Sequence, residues 1–180
     1  IFWFLFYKFT NYVVKSITFP TEFTQKEAVS IAPFIKNKSF KNYNSIDLHP
    51  TENKFDSKDQ FIIGAAGWLI KRKRFDLFID LATLLLEESS KYKFLIAGAG
   101  PEINSLKSRA ALYGISDHLN WLGVISDMKN FYSKIDLSVF FTDADSGAIT
   151  PFEAMSHNVP VVASCKYYGF YELLKNSKAI

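Results

Sequence analysis

From Phe61 onward, short apolar runs alternate with segments whose apolar residues recur at helical spacing, and this alternation leaves few folds open. The runs are FIIGAAG, KFLIAGAG, LNWLG, DLSVFF and VPVVAS. Between them Phe75, Phe78, Ile79, Ala82, Leu85 and Leu86 share one helical face, and Ile103, Leu106, Ala110 and Tyr113 share another. Pro101 stands where a first helical turn tolerates proline, and Gly114 where a helix stops. DMKNFYSK, the stretch from Phe152 to His157, and FYELLKN are predicted as further helices. Strands separated by helices form a parallel sheet. Strands that are apolar at nearly every residue need cover on both sides. The predicted class is therefore α/β, a Rossmann-like parallel sheet with helices on both faces. Such sheets bind ligands beyond the carboxyl ends of their strands.

Residues 1–57 read differently. They comprise an apolar helix, an extended piece SITFPT, a helix near Glu27 to Ile35, and the polar, aperiodic NYNSIDLHPTENKFDSKDQ, which reads as a linker. The predicted division is 1–57 and 58–180. The opening IFWFLFYKF carries one charge, Lys8. It is shorter than the roughly 20 apolar residues a bilayer span needs and lacks the basic flank of a signal peptide. Two readings stand: a core helix whose partners precede Ile1, or an aromatic-rich helix at a membrane surface. The abrupt start and finish suggest a piece of a longer protein.

Composition removes several function classes. Lys and Arg number 21 against 18 Asp and Glu, a net charge of +3, too mild to imply a nucleic-acid partner. A single Cys, Cys165, rules out an internal disulfide framework and fits a reducing, cytoplasmic compartment. The isoelectric point of about 8.8 and the aromatic opening are compatible with peripheral contact to an anionic inner membrane face. The NKS at Asn37 is read as a chance match to the glycosylation pattern. GAG at Gly98 to Gly100 is an incomplete dinucleotide fingerprint, because position 103 is Ile. His49, His118 and His157 show no metal-ligand spacing, and no G-x-S-x-G elbow is present.

The chemistry concentrates in DADSGAITPFEAMSHNVPVVAS. Pro151 marks a helix start and puts Glu153 in the first turn, where the helix dipole favours an acid. Glu153 is either a capping carboxylate or an acceptor for a ribose diol, beside helix N–H groups that bind phosphate. Asp145 either caps its own turn, or holds hydroxyls of a bound sugar or stabilises positive charge at a reacting carbon. The basic run Lys71 to Arg74 has three readings: a solvated loop, a nucleic-acid patch, or a phosphate-binding group at the rim of the sheet.

Taken in order, these segments resemble the C-terminal, donor-binding domain of the group 1 glycosyltransferases of the GT-B fold. GWLIKRKRFDLFIDLA is similar to that family's Gly-Arg-Leu…Lys-Gly-Phe-Asp segment, and FLIAGAGPEINSLKSRAALYGISDHLNWLG to its second strand and helix. FYSKIDLSVFFTDADSGAITPFEAMSHNVPVVAS resembles the strand, Glu-x7-Glu turn and following strand, and YYGFYEL the closing Gly…Glu helix start. NYNSID is similar to the interdomain Asn-Gly-Val-Asp, with Ser45 where Gly is usual. The resemblance implies retaining transfer of a sugar from a UDP-sugar or GDP-sugar to a sugar or lipid-linked acceptor, with no metal and no further cofactor, in polysaccharide biosynthesis. It implies Lys73 on the diphosphate, Asp145 on the donor sugar and Glu153 on the ribose. It also implies backbone groups of Ala148 and Ile149 around the ligand, Gly123 and Val124 against the base, and Gly67 and Trp68 at the first strand end. Trp68 replaces the usual Arg, and Asp145 is one methylene shorter than the usual Glu. Trp68 either packs beside the cleft or stacks on base or sugar. The alternatives are a non-catalytic relative that binds a nucleotide sugar and a GT-B sugar-nucleotide epimerase. Residues 1–57 are implied to be a remnant of the acceptor domain, so the 180 residues alone are expected to transfer no sugar.

Overall fold

A computed structural model of the chain describes residues 1–48, 59–145, 147–164 and 171–172. The chain forms two compact units. The first comprises Ile1–Ser45, Asp145–Ala148 and Cys165–Ile180, the second Ile46–Ala144 and Ile149–Ser164.

In the first unit, helix α1 (Phe2–Val13) is followed by strand β1 (Ile17–Phe19), helix α2 (Glu22–Ile31), a 3-10 turn (Pro33–Lys38) and strand β2 (Ser39–Lys41). β1 and β2 pair in parallel, and Phe19, Ala28, Ala32 and Ile35 form a small core. The helix expected near Glu27 to Ile35 begins five residues earlier and ends at Ile31. Thr21 sets its start: its hydroxyl accepts from the Thr24 N–H at 3.2 Å, while Thr24 reciprocates on the Thr21 backbone. Pro33 brings the α-helix to a halt and opens the 3-10 turn. The Glu172 carboxylate accepts from the Glu22 and Phe23 N–H groups at 2.9 and 3.0 Å and from the Tyr43 hydroxyl at 3.0 Å. α1 has no buried residue; Phe2, Trp3, Leu5 and Phe9 are all exposed, while Tyr7 packs on Phe19.

The second unit carries strands β3 (Phe61–Ala66), β4 (Tyr92–Ala97), β5 (Leu119–Gly123), β6 (Leu137–Phe140) and β7 (Val161–Ala163). All pair in parallel, in the order β5-β4-β3-β6-β7. Helices α3 (Phe75–Glu88), α4 (Ile103–Leu112), α5 (Met128–Tyr132) and α6 (Thr150–Ser156) connect them. β4 shows why both faces are covered. Phe94 and Ile96 join Phe78, Ile79 and Ala82 of α3 and Leu106 of α4 in one core. Their neighbours Leu95 and Ala97 join Phe131, Tyr132, Ala154 and Val159 in a second core on the opposite face. The strands and helices predicted from Phe61 to Ser164 are all present. Of FYELLKN only Tyr171 and Glu172 are described, both helical. The rest of FYELLKN, Cys165, and the linker residues from His49 to Lys58 lie outside the described residues.

Strand order reverses at β3, which has β4 on one side and β6 on the other. This is the switch point at which open parallel sheets receive ligands. Asp136 pins it: its carboxylate accepts from the Ile62 N–H at 2.8 Å, and its own N–H donates to the Ile62 carbonyl at 2.7 Å.

Candidate functional site

At the carboxyl ends of the strands the second unit opens into a cleft of about 360 Å³. Gly67 and Trp68 follow β3, Gly98 and Ala99 follow β4, Val124 and Ile125 follow β5, and Thr150 and Glu153 come from α6. The three loops that floor it are laced by backbone bonds. The Gly67 N–H donates to Ala97 at 2.9 Å, Gly98 to Gly123 at 2.7 Å, and Leu69 to Ala99 at 2.9 Å. Gly98 and Ala99 of GAG, which fits no dinucleotide fingerprint, therefore belong to the close-packed floor of this cleft. Only its floor position, and not its spacing, could have been anticipated from strand ends.

Trp68 is 64% exposed at the cleft wall, so its ring is presented rather than packed. Val124 is 81% exposed. A planar ring and an aliphatic side chain beside a mostly apolar floor can hold a flat ligand face. Glu153 sits in the first turn of α6, as its spacing from Pro151 predicts. Its Oε2 lies 3.3 Å from the hydroxyl of Tyr132, which is buried in the second core. Burial, and then the Glu153 charge and hydrogen bond, push the Tyr132 phenol far above its ordinary range, so it remains a donor. α6 has seven residues, and Pro151 supplies no N–H in its first turn.

The basic run divides by task. Lys71–Lys73 form one 3-10 turn, and Arg74, at φ 45, leads into α3. Arg72 donates through its guanidinium to the Ala144 carbonyl, and its own carbonyl accepts from the Asp143 N–H at 2.8 Å. Arg74 bonds Asp76 at 2.9 and 3.0 Å and Asp143 at 3.0 Å. These two arginines fasten the loop after β6. Lys73 places its ammonium 4.9 Å from the centre of the Phe140 ring and lines a small cavity with Ala65, Val139 and Phe140.

Gly67, Trp68, Val124 and Glu153 thus meet in one cleft. Gly123 stands beside it as the carbonyl acceptor of Gly98, and Ile149 caps α6. Asp145 and Ala148 belong to the first unit. There Asp145 Oδ1 accepts from the Gly147 N–H at 3.3 Å, and the Gly147 carbonyl accepts from Asn44 at 2.8 Å. Thr150 and Met128 line the cleft without having been singled out from sequence, while Gly98 and Ala99 were weighed there only as part of an incomplete dinucleotide fingerprint. Tyr132 was also missed, because a tyrosine at the end of a short helix carries no local signal of what its hydroxyl meets.

Residues 49–179 match the profile of the family described as glycosyl transferases group 1. The lipopolysaccharide core biosynthesis mannosyltransferase LpsB of Rhizobium meliloti is 32% identical over 107 residues, covering 57% of this chain and 30% of that protein. The corresponding LpcC of Rhizobium leguminosarum is 28% identical over 108 residues, with 57% and 31% covered. The chain thus spans about a third of the length of these curated relatives. Among solved structures, S. aureus TarM in complex with UDP superposes with a TM-score of 0.82 at 20% identity, covering 94% of this chain and 34% of that one. Anabaena HepE in complex with UDP and glucose gives 0.76 at 19% identity, with 89% and 47% covered.

Proposed function

Since the chain belongs to the group 1 glycosyl transferases, we propose that it supplies the donor-binding part of a glycosyltransferase, holding a nucleoside diphosphate sugar in the cleft of the second unit. One observation carries this reading. A carboxylate, Glu153, stands at the rim of an apolar cleft formed by three strand ends at the switch point of a parallel sheet. A carboxylate accepts two hydrogen bonds from a vicinal diol, and the apolar floor with Val124 accommodates a base. Glu153 receives the ribose, Gly123 and Val124 lie along the base, and Trp68 stacks on base or sugar. The diphosphate is neutralised by side-chain cations, Lys73 among them, with no metal. Ile149, at the start of α6, offers its backbone N–H group to the ligand.

In the complete protein the sugar passes with retained configuration to a sugar or lipid-linked acceptor, in the assembly of a surface polysaccharide. The names of LpsB and LpcC and the UDP in the TarM and HepE structures support this class. Product anomeric configuration, read by proton NMR, tests retention; an inverted anomer excludes it. The exposed aromatics of α1 support a peripheral membrane contact. Trp3 emission should shift to the blue with anionic vesicles, and an unchanged spectrum rejects that contact.

The site itself is tested by calorimetric titration with UDP, GDP and ADP, on the native chain and on Glu153→Ala. Saturable binding of one diphosphate that Glu153→Ala abolishes is expected. Equal binding by both proteins overturns the assignment. Trp68 in place of the family's Arg favours a second reading, a relative that binds the donor without transfer. Activity of the complete protein only after Trp68→Arg with Asp145→Glu would support it; an active native protein excludes it.

A further inference from the structure

We propose that Tyr132 is a positioning residue for the donor's ribose: its buried hydroxyl holds Glu153 Oε2 and thereby aims the rest of that carboxylate at the diol. The inference rests on the ribose reading of Glu153 given above.

Tyr132 closes α5 and is 1% exposed. Its ring stacks on His157 with centroids 5.0 Å apart and planes inclined by 21°, and it meets Phe131 edge-on at 5.2 Å. Packing from both α5 and the end of α6 therefore leaves the phenol one orientation. Its hydroxyl has one proton and two acceptors, the Thr150 carbonyl and Glu153 Oε2, each at 3.3 Å. The carboxylate is the stronger acceptor, because it is charged. Burial keeps the phenol protonated, so Tyr132 cannot repel the acid as a phenolate.

The consequence for a ligand is geometric. A glutamate has three soft torsions, and fixing them on binding costs affinity. A donor that comes from the core side occupies Oε2 beforehand and restricts those torsions. Oε1 and the remaining lone pair of Oε2 are left for two hydroxyls of a ligand in the cleft. This is support for a binding group from behind, on a rigid element.

The test compares UDP with its 2′,3′-dideoxy analogue, and the corresponding GDP pair if the native chain takes GDP. Native, Tyr132→Phe, Glu153→Gln and the double variant are titrated. Tyr132→Phe is expected to weaken the ribose form about tenfold and to leave the dideoxy form unchanged. The double variant is expected to lose no more than Glu153→Gln alone. Equal loss for both ligands, no loss, or multiplicative losses in the double variant overturn the role of Tyr132. In each of those cases Glu153→Gln still reports on the ribose reading by itself. If Glu153→Gln shows no diol-dependent loss, or neither nucleotide binds, the reading of Glu153 falls and that of Tyr132 with it. Should Tyr132→Phe not fold, the native chain labelled with carbon-13 at the tyrosine Cζ decides. The Tyr132 resonance should move with UDP and stay with the dideoxy form; identical responses to both overturn the inference.

Discussion

Gly98→Ala should damage this protein more than any change at an exposed loop glycine, and the structure sets the size of the effect. Gly98 has φ 139, a region that alanine avoids. A Cβ there would lie 1.9 Å from the Gly67 carbonyl oxygen, whereas real Cβ contacts stay beyond 3.0 Å. The backbone must therefore open by more than an ångström. It cannot do so freely, because Gly67 donates to Ala97 and Gly98 to Gly123 across the same floor. The torsional cost is about 1–3 kcal/mol, and forced overpacking adds about 1–3 kcal/mol, so roughly 4 kcal/mol is lost.

For a unit of this size that lowers the melting temperature by roughly 10–20 °C. Gly114→Ala is the matched control. Gly114 has φ 69, but a methyl group added there would meet nothing within 4 Å, so only the left-handed backbone cost of about 1 kcal/mol applies. The two variants are compared by thermal and urea unfolding, followed by circular dichroism. Gly98→Ala melting within about 2 °C of Gly114→Ala would refute the steric reasoning. If the proposed function holds, a folded Gly98→Ala protein should in addition bind its nucleoside diphosphate more weakly, since the floor of the cleft has moved.

Other outcomes follow from the same geometry. Trp68→Ala should leave the melting temperature unchanged, because the ring is mostly exposed, yet weaken nucleotide binding about three- to tenfold in calorimetry. Arg74→Ala should free Asp143 and Asp76 together and raise amide exchange in the loop after β6, read by hydrogen–deuterium exchange. The Arg74 hydrogen bonds hold the Asp76 carboxyl below its ordinary range. A carboxyl lowered in the folded state contributes stability that is full above its unfolded value, about 3.9, and disappears as pH falls through the folded value. Melting temperature should therefore drop below about pH 4, with a shallower slope in Asp76→Asn; an identical slope rejects the pairing.

Much of the second unit was legible because its strands are buried on both faces and its helices on one. Period and continuity then report directly on cover, as Phe94 to Ala97 and Phe75 to Ala82 show. The first unit was less legible because local chemistry outweighs periodicity there. The start of α2 depends on Thr21 and Thr24 exchanging hydrogen bonds, and β2 is three residues long and exists through its pairing with β1. Glu153 was found through its distance from Pro151, since helix starts have local signals. The division of labour in Lys71 to Arg74 was not, because four like charges look alike until their partners are known. Arg72 and Arg74 turn to a loop some 70 residues away, and Lys73 to Phe140.

The sequence by itself determined a parallel α/β sheet, the family, and an acid in the first turn of a helix at the sheet's rim. These follow from spacing along the chain, which folding preserves. Tertiary structure alone decided that Gly67, Gly98 and Val124 line one cleft, that Trp68 presents its ring, and that Tyr132 reaches Glu153 from the core. It also grouped Asp145 with the first unit and Glu153 with the second. Those facts depend on which strand ends become neighbours and which hydroxyl is buried beside which carboxylate, and no local spacing encodes either.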